Sequence, residues 1–206
     1  IVNGVAQIVF GNQNWSTAVQ GTTPGILDAR DITLVSGRPF TDQDVRSATK
    51  VALMGQTVVE NLFGANDPVG QIVRISKVPF TVVGVLSEKG QSIMGHDQDD
   101  LVYIPVTTAQ KRIFGTHFAG SVRSILIKAG SAADMDRAEL QITELLKQRH
   151  RISPKGDLDF SIRNLTQMLQ AAEQSTRVMS LLLGAIASVS LLVGGIGIMN
   201  IMLVSV

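Results

Sequence analysis

The 206-residue sequence predicts an α+β fold that ends in one long helix, part stalk and part membrane span. Three observations carry that expectation. Short apolar, β-branched runs alternate with turn signals over the first half of the chain. A strand, a long amphipathic helix and a second strand follow over residues 121–163. All 35 charges, 18 basic and 17 acidic, lie at or before Arg177, and residues 178–206 carry none. Twenty of those last 29 residues are Ala, Val, Ile, Leu or Met, and a bilayer span needs about 20. The composition therefore excludes both a wholly soluble protein and a polytopic bundle.

Taken in order, residues 5–10 (VAQIVF) are short, apolar and β-branched, which predicts a strand. Residues 11–25 (GNQNWSTAVQGTTPG) read as a polar, Gly-rich loop, and 26–36 favour neither helix nor strand before Gly37-Arg38-Pro39 ends them. Residues 41–48 form a helical turn with Thr41 or Asp42 as N-cap, and 51–54 a short strand. Residues 56–63 have helical spacing, with Val58, Val59, Leu62 and Phe63 on one side and Gly64 as C-cap. Asp67-Pro68-Val69-Gly70 is a turn signal. Strands are expected at 71–76 and 80–86, with the hairpin turn at Lys77-Val78-Pro79. A polar loop without secondary structure of its own spans 88–100. A strand at 101–104 leads through Pro105 into a short helix at 107–113.

The next unit has the clearest pattern. Residues 121–128 (SVRSILIK) predict a strand carrying Val122, Ile125 and Ile127. Ser131 caps a helix, with Asp134 three residues on. Met135, Ala138, Ile142 and Leu145 share one helical face, and the helix ends in Lys147, Arg149, His150 and Arg151, cations suited to a C-terminus. Leu158, Phe160 and Ile162 alternate as a strand. Strand, helix and strand make a βαβ unit with parallel strands and a right-handed crossover. Asn164 caps a last helix, where Leu165, Met168, Leu169 and Ala172 form a stripe that runs without a breaker into the apolar segment. A helix over 165–206 would be roughly 63 Å long, against about 30 Å of bilayer core, so it projects from the membrane as a stalk.

The search for chemistry is mostly one of exclusion. Balanced charge gives no case for nucleic acid. With no cysteine, disulfides and thiolate chemistry are out. Neither G-x-S-x-G nor the G-x-x-x-x-G-K-[ST] phosphate loop occurs, so this segment is read as non-catalytic, with no catalytic, cofactor-binding or metal residues. His96, His117 and His150 are scattered. His96-Asp97-Gln98-Asp99-Asp100 is the one dense cluster of hard ligands, but its spacing lacks the EF-hand pattern. The flexible loop around it is expected to be solvated or to touch a partner, and Asp97, Asp99 and Asp100 are the candidate contact residues. Trp15 is either a partner contact or an aromatic ring resting on the surface. In the apolar run, Gly184 with Ser188 and Ser190 with Gly194 are small-xxx-small pairs that suit helix packing. Asn200 either hydrogen-bonds across helices or lies near an interface. The chain starts at Ile1 without a basic n-region and apolar h-region, and it stops inside apolar sequence, so it is expected to be a piece of a longer protein.

Five segments together resemble a known family: GRPFTDQDV (37–45), VALMGQTVVENLFGANDPVGQIVRI (51–75), PFTVVGVLSEKG (79–90), DQDD (97–100) and LLLGAIASVSLLVGGIGIMNIMLVSV (181–206). They are similar to the periplasmic core and second transmembrane helix of MacB-type ABC transporters, in the wider FtsX/LolE-like permease superfamily. The resemblance implies a porter-like periplasmic subdomain in two parts, residues 1–36 and the βαβ unit 121–163, with a distal α/β subdomain inserted at 37–120 and the stalk and membrane helix at 164–206. It implies an inner-membrane protein whose residues from 1 to about 175 lie in the periplasm. It also implies a homodimer that works with a periplasmic adaptor and an outer-membrane exit duct, relaying ATP-driven motion to expel periplasmic substrate. ATP and Mg²⁺ would belong to an ATPase domain outside this segment. A lipoprotein-releasing or division-associated relative, or a membrane-tethered sensor, is the alternative.

Overall fold

A computed structural model describes residues 1–92, 95–115, 121–153 and 156–204, which divide into two units, Ile1–Lys128 and Ala129–Val206. The first unit opens with a hairpin. Strand β1 (Val2–Phe10) pairs antiparallel with β2 (Gln13–Thr22) in continuous register from Val2 opposite Gly21 to Phe10 opposite Gln13. β2 corrects the expected loop at 11–25. Its composition is polar, but Thr17 and Val19 alternate inward, and the strand is held on both edges by β1 and a later strand. Hydrogen-bonding neighbours overrode weak strand propensity. Only Gly11 (φ +54) and Asn12 turn the chain.

The ambiguous stretch 26–36 resolves into one helical turn, α1 (Ile26–Ala29), and a short strand, β3 (Leu34–Gly37). Helix α2 (Asp42–Ser47) starts at Thr41, as expected from the cap residues. The Thr41 hydroxyl accepts from Asp44 N at 3.3 Å while Thr41 N donates to Asp44 Oδ2 at 2.8 Å, a reciprocal capping box. Then come β4 (Val51–Met54), α3 (Gln56–Phe63), β5 (Ile72–Ile75), β6 (Val78–Leu86) and β7 (Leu101–Pro105). Pro105 leads into α4 (Val106–Thr108), which continues as a π-helical turn over Ala109–Phe114. The β5–β6 turn is Ser76-Lys77, one residue earlier than the expected Lys77-Val78-Pro79, and both residues have positive φ (+47 and +72). A two-residue turn with φ positive at both positions matches the right-handed strand twist.

The seven strands run β3-β6-β4-β7-β2-β1-β5. β5 bonds to β1 (Ile8 opposite Ile75) and also to β6 (Ile72 opposite Thr81), so six strands close into a ring. β6 and β4 run parallel, as do β2 and β7. The sequence boundary expected at residue 36 is therefore not a boundary of this sheet, because β1 and β2 are hydrogen-bonded to strands from residues 37–120. Helix α3 buries Val58, Val59, Leu62 and Phe63 against one face, together with Ala52, Met54, Val102 and Ile104. On the opposite face Val51, Leu53, Leu101 and Tyr103 pack with Ile26, Ile32, Phe40 and Leu86. Strands β4 and β7 are buried on both faces, which explains why VALM and LVYI read as unbroken apolar runs.

Neither 121–128 nor 158–162 forms a strand, a correction to the expected βαβ unit. The apolar side chains of those segments, Val122, Ile125, Leu126, Ile127 and Leu158, are exposed. Parallel pairing is weak, and about three strands or a covering layer are needed before such a sheet is stable. The helix between them forms, but Ser131 does not cap it; the N-cap of the α-helix is Asp134, without a side-chain cap bond. A single 3-10 turn at Ala132–Asp134 precedes α5 (Met135–His150), and Ser131 Oγ donates to Asp134 Oδ2 at 2.7 Å. Its half-buried face carries Met135, Ala138, Ile142 and Leu146, whereas Leu145 is exposed. The last helix, α6 (Leu165–Val204), is unbroken for 40 residues, and Asn164 Oδ1 accepts from Thr166 N at 3.0 Å and Gln167 N at 3.3 Å.

Two stability predictions follow from turn and cap geometry. Lys77→Gly removes the side-chain penalty of the left-handed region (φ +72) and raises stability by about 1 kcal/mol, read from the denaturant midpoint of Trp15 fluorescence. Burial acts to raise the Asp44 pKa, but the Thr41 N–H, the Thr41 hydroxyl and Arg38 outweigh it and hold the carboxyl below its usual range. A depressed pKa stabilises the fold above the unfolded carboxylate range and loses that contribution as pH falls through the folded value. Asp44→Asn therefore costs about 1 kcal/mol at pH 7, and its deficit against the parent chain disappears in strong acid.

Candidate functional site

The loop 88–100 is organised by its three aspartates. Asp99 is the buried one, at 5% exposure. Its oxygens accept Lys89 N at 2.9 and 3.1 Å, and Oδ2 also accepts Gly90 N at 2.7 Å. Successive backbone N–H groups make an anion-holding concavity, here filled by the chain's own carboxylate. Asp97 turns to the first turn of α3, where its Oδ2 accepts Thr57 Oγ1 at 2.7 Å, and its Oδ1 accepts Asp99 N at 2.8 Å. Asp100 Oδ1 accepts the Trp15 indole N–H at 2.8 Å, which ties the loop to β2.

Backbone bonds complete the loop. Gln91 and Asp97 form an antiparallel bridge, Ser92 N donates to His96 O at 2.8 Å, and Gln98 N donates to Gly90 O at 3.1 Å. The expected structureless loop is thus a folded-back turn, closed by charge-assisted bonds that sequence spacing does not reveal. Gly55, which caps α3, permits the close fit. A Cβ there would stand 2.1 Å from the Asp99 carbonyl oxygen.

Each candidate contact residue therefore has a partner within the chain. Among the described residues of the loop, Glu88, Lys89, Gln91 and the run Gly95-His96-Asp97-Gln98 are exposed. The three carboxylates reach three separate sets of donors, and among the described residues no group of three or more His, Cys, Asp or Glu gathers where it could hold a metal ion. His96 is exposed, and His117 lies outside the described residues. In the second unit the His150 ring approaches the Asp159 carboxylate at 2.8 Å and meets Phe160 edge-on at 6.0 Å. Trp15 is partly buried against the α3-side core. The sequence singles out Trp15 but not its bond to Asp100, and it gives no sign of Thr57 or of the Lys89 and Gly90 amides, because each acts only through the fold that brings its partner near.

In α6 the candidate packing residues are exposed along the helix. Ser188 Oγ donates to Gly184 O at 2.8 Å and Ser190 Oγ to Ile186 O at 2.9 Å, so both hydroxyls are satisfied within the helix itself. Folding the hydroxyl back on its own helix lets each pair, Gly184 with Ser188 and Ser190 with Gly194, present a low-relief apolar patch, the two patches about 120° apart around the helix. The side chain of Asn200 lies outside the described residues. The helix is long and apolar enough over Leu165–Ile196 to cross a membrane.

The loop geometry yields a graded prediction. Asp99→Asn replaces one acceptor of a buried carboxylate by a donor facing the Lys89 and Gly90 N–H groups and lowers stability by about 1–3 kcal/mol. Asp100→Asn keeps an oxygen for the Trp15 N–H and stays within about 0.5 kcal/mol of the parent chain. Denaturant melts followed by Trp15 fluorescence separate the two.

Residues 1–145 match the model of the MacB-like periplasmic core domain. The macrolide export ATP-binding/permease protein MacB of Bdellovibrio bacteriovorus is 42% identical over 206 residues, 99% of this chain and 31% of that protein. The protein of the same name from Chlorobium luteolum is 46% identical over 205 residues, 100% of this chain and 30% of that one. The chain thus spans under a third of the length of these curated relatives. Among solved structures, the periplasmic region of MacB from Actinobacillus actinomycetemcomitans superposes with a TM-score of 0.66 at 27% identity, covering 84% of this chain and 73% of that one. The α+β architecture, the family model and the full-length relatives agree, and the chain belongs to the MacB-like periplasmic core domain family.

Proposed function

We propose that this chain is the periplasmic core and membrane-entering helix of an ABC-type export permease, a part that performs no chemistry and relays motion. The observation that carries this reading is the continuity of α6, which runs from Leu165 to Val204 with its last charge at Arg177. Forty residues span about 60 Å, roughly twice a bilayer core, so one rigid element would be both membrane span and stalk. Residues up to about 175 would lie in the periplasm and the rest in the inner membrane. ATP with Mg²⁺ would act on an ATPase domain outside this segment. The low-relief patches of α6 suit a homodimer, and cargo of the macrolide or peptide type would leave through an adaptor and an outer-membrane duct. The relatives' names support export, and the adaptor and duct rest on the family resemblance.

Within this reading loop 88–100 is the candidate adaptor contact. Its exposed run Gly95–Gln98 would meet the partner, while Asp97, Asp99 and Asp100 hold that run in place. Replacing all three with Asn and measuring melt and adaptor binding together tests the division of labour: lost binding with a lowered melt marks them as positioning residues, and unchanged binding removes the loop from the interface.

Two experiments test the relay. Single cysteines introduced along α6 should react with water-soluble thiol reagents at 166–176 and fail to react at 182–200, and labelling throughout would remove the membrane span. Proline at both Ala171 and Glu173 costs about 3 kcal/mol each and kinks the stalk. In the full transporter this pair should abolish export while ATP hydrolysis stays measurable, and undiminished export would overturn the mechanical reading.

A further inference from the structure

The turn that follows α1 gathers side chains from three separate segments of the first unit. Lys89 Nζ, from the start of loop 88–100, donates to the Arg30 carbonyl oxygen. Lys128 Nζ, from the last residue of the unit, donates to the Asp28 carbonyl at 3.2 Å and pairs with the Asp31 carboxylate. Arg30 sends Nη1 to the phenol oxygen of Tyr103 at 3.1 Å, on the doubly buried strand β7. The turn is closed by Ile32 N donating to Leu27 O at 2.8 Å. Asp31 itself sits at φ +50, in the left-handed region that Asp enters more readily than most side chains.

We propose that the 28–31 turn couples loop 88–100 to the segment 121–128, through Lys89 on one side and Lys128 on the other. The geometry supplies the mechanism. The Arg30 carbonyl that Lys89 holds and the Asp31 N–H belong to the same peptide plane. Rotating that plane changes φ of Asp31, and φ of Asp31 aims the carboxylate that Lys128 holds. Arg30, anchored on Tyr103, fixes the pivot. The same plane is otherwise held by the Asp31 N–H, which donates to the Asp28 carbonyl at a long 3.3 Å, so freeing either lysine weakens its hold and loosens the other segment, although Lys89 and Lys128 each bond the turn and not one another. Elsewhere segment 121–128 is held only at its start: Arg123 N and Ser124 N share the Ile1 carbonyl at 3.0 and 3.3 Å, the Ile1 amino group donates to Ser124 O at 2.6 Å and Gln110 Nε2 to Ser121 O at 2.7 Å, whereas Ile125, Leu126 and Ile127 are exposed. It is also the stretch through which the chain leaves the sheet unit. The use of this coupling in relaying a partner contact rests on the export reading above, whereas its existence does not.

Hydrogen exchange on the full chain in detergent micelles tests the coupling without transport, so its failure is distinguishable from failure of the export reading. Lys89→Met should speed exchange of the Arg123 and Ser124 amides, which Lys89 does not touch, by about threefold or more. Lys128→Met should do the same for the Lys89 and Gly90 amides. Lys111→Met, in the π-helical turn, should change neither. Lys89→Arg keeps charge and reach and should restore the parent pattern. If Lys89→Met fails to fold, judged by Trp15 fluorescence, Lys89→Gln takes its place. Faster exchange confined to the mutated segment overturns the proposal, and so does an equal effect of Lys89→Arg and Lys89→Met.

Discussion

Closure of the sheet depends on β6 serving three neighbours. Its nine residues hold β4 along one edge, while β5 takes the first part of the other edge and β3 the last part. A shorter β6 would lose either β5 or β3 from that edge. Because β5 also reaches β1, that one long strand turns an open sheet into a ring and removes most free edges, the usual liability of β structure. The ring in turn gives α3 a concave face to fill, and α3 touches β1, β2, β6 and β7. The two cores on either side of β4 and β7 exist because of this closure.

Rigidity at the ring is what gives the loop after β6 its order. The loop starts where β6 ends, returns at β7, and is fastened to α3 by Asp97, to β2 by Asp100 and to itself by Asp99. The Asp100 anchor lies on a strand of the closed sheet and the Asp97 anchor on the helix packed against it, so the exposed residues between them are presented from a fixed base. A loop of the same composition on an open sheet edge would have no such set of donors. Placing contact residues on loops and positioning residues beneath them is a common division in binding surfaces. The turn at 28–31 extends the same base on the opposite core face, through Arg30 on Tyr103.

The second unit follows a different physics. α5 half-buries one stripe, and the described side chains of α6 are exposed apart from Thr166 and Leu169. Few tertiary contacts stabilise α6 here. Its continuity comes from local propensity, the Asn164 cap and an absence of prolines, and its apolar surface asks for lipid or another helix. The unit is therefore built of two helices, α5 and the longer α6.

Sequence alone determined the elements whose cause is local. α3, α5 and α6 were legible because helical spacing and caps act within a few residues, as Thr41 and Asn164 show. β4, β5, β6 and β7 were legible because buried strands carry dense β-branched runs. Asp97, Asp99 and Asp100 were recognisable as a cluster, but not as three anchors, since Thr57, Trp15 and the Lys89 amide come from elsewhere in the chain. β2 was read as a loop because QNWSTAVQGT is polar, and only its pairing with β1 and β7 makes it a strand. The expected strands at 121–128 and 158–162 failed for the converse reason: their local pattern is strong, but a strand exists only where a neighbour supplies its hydrogen bonds. Tertiary structure decided every feature that depends on such a neighbour, namely the ring, the loop anchors and the 28–31 turn, because backbone pairing and charge-assisted contacts form between residues that sequence spacing does not relate.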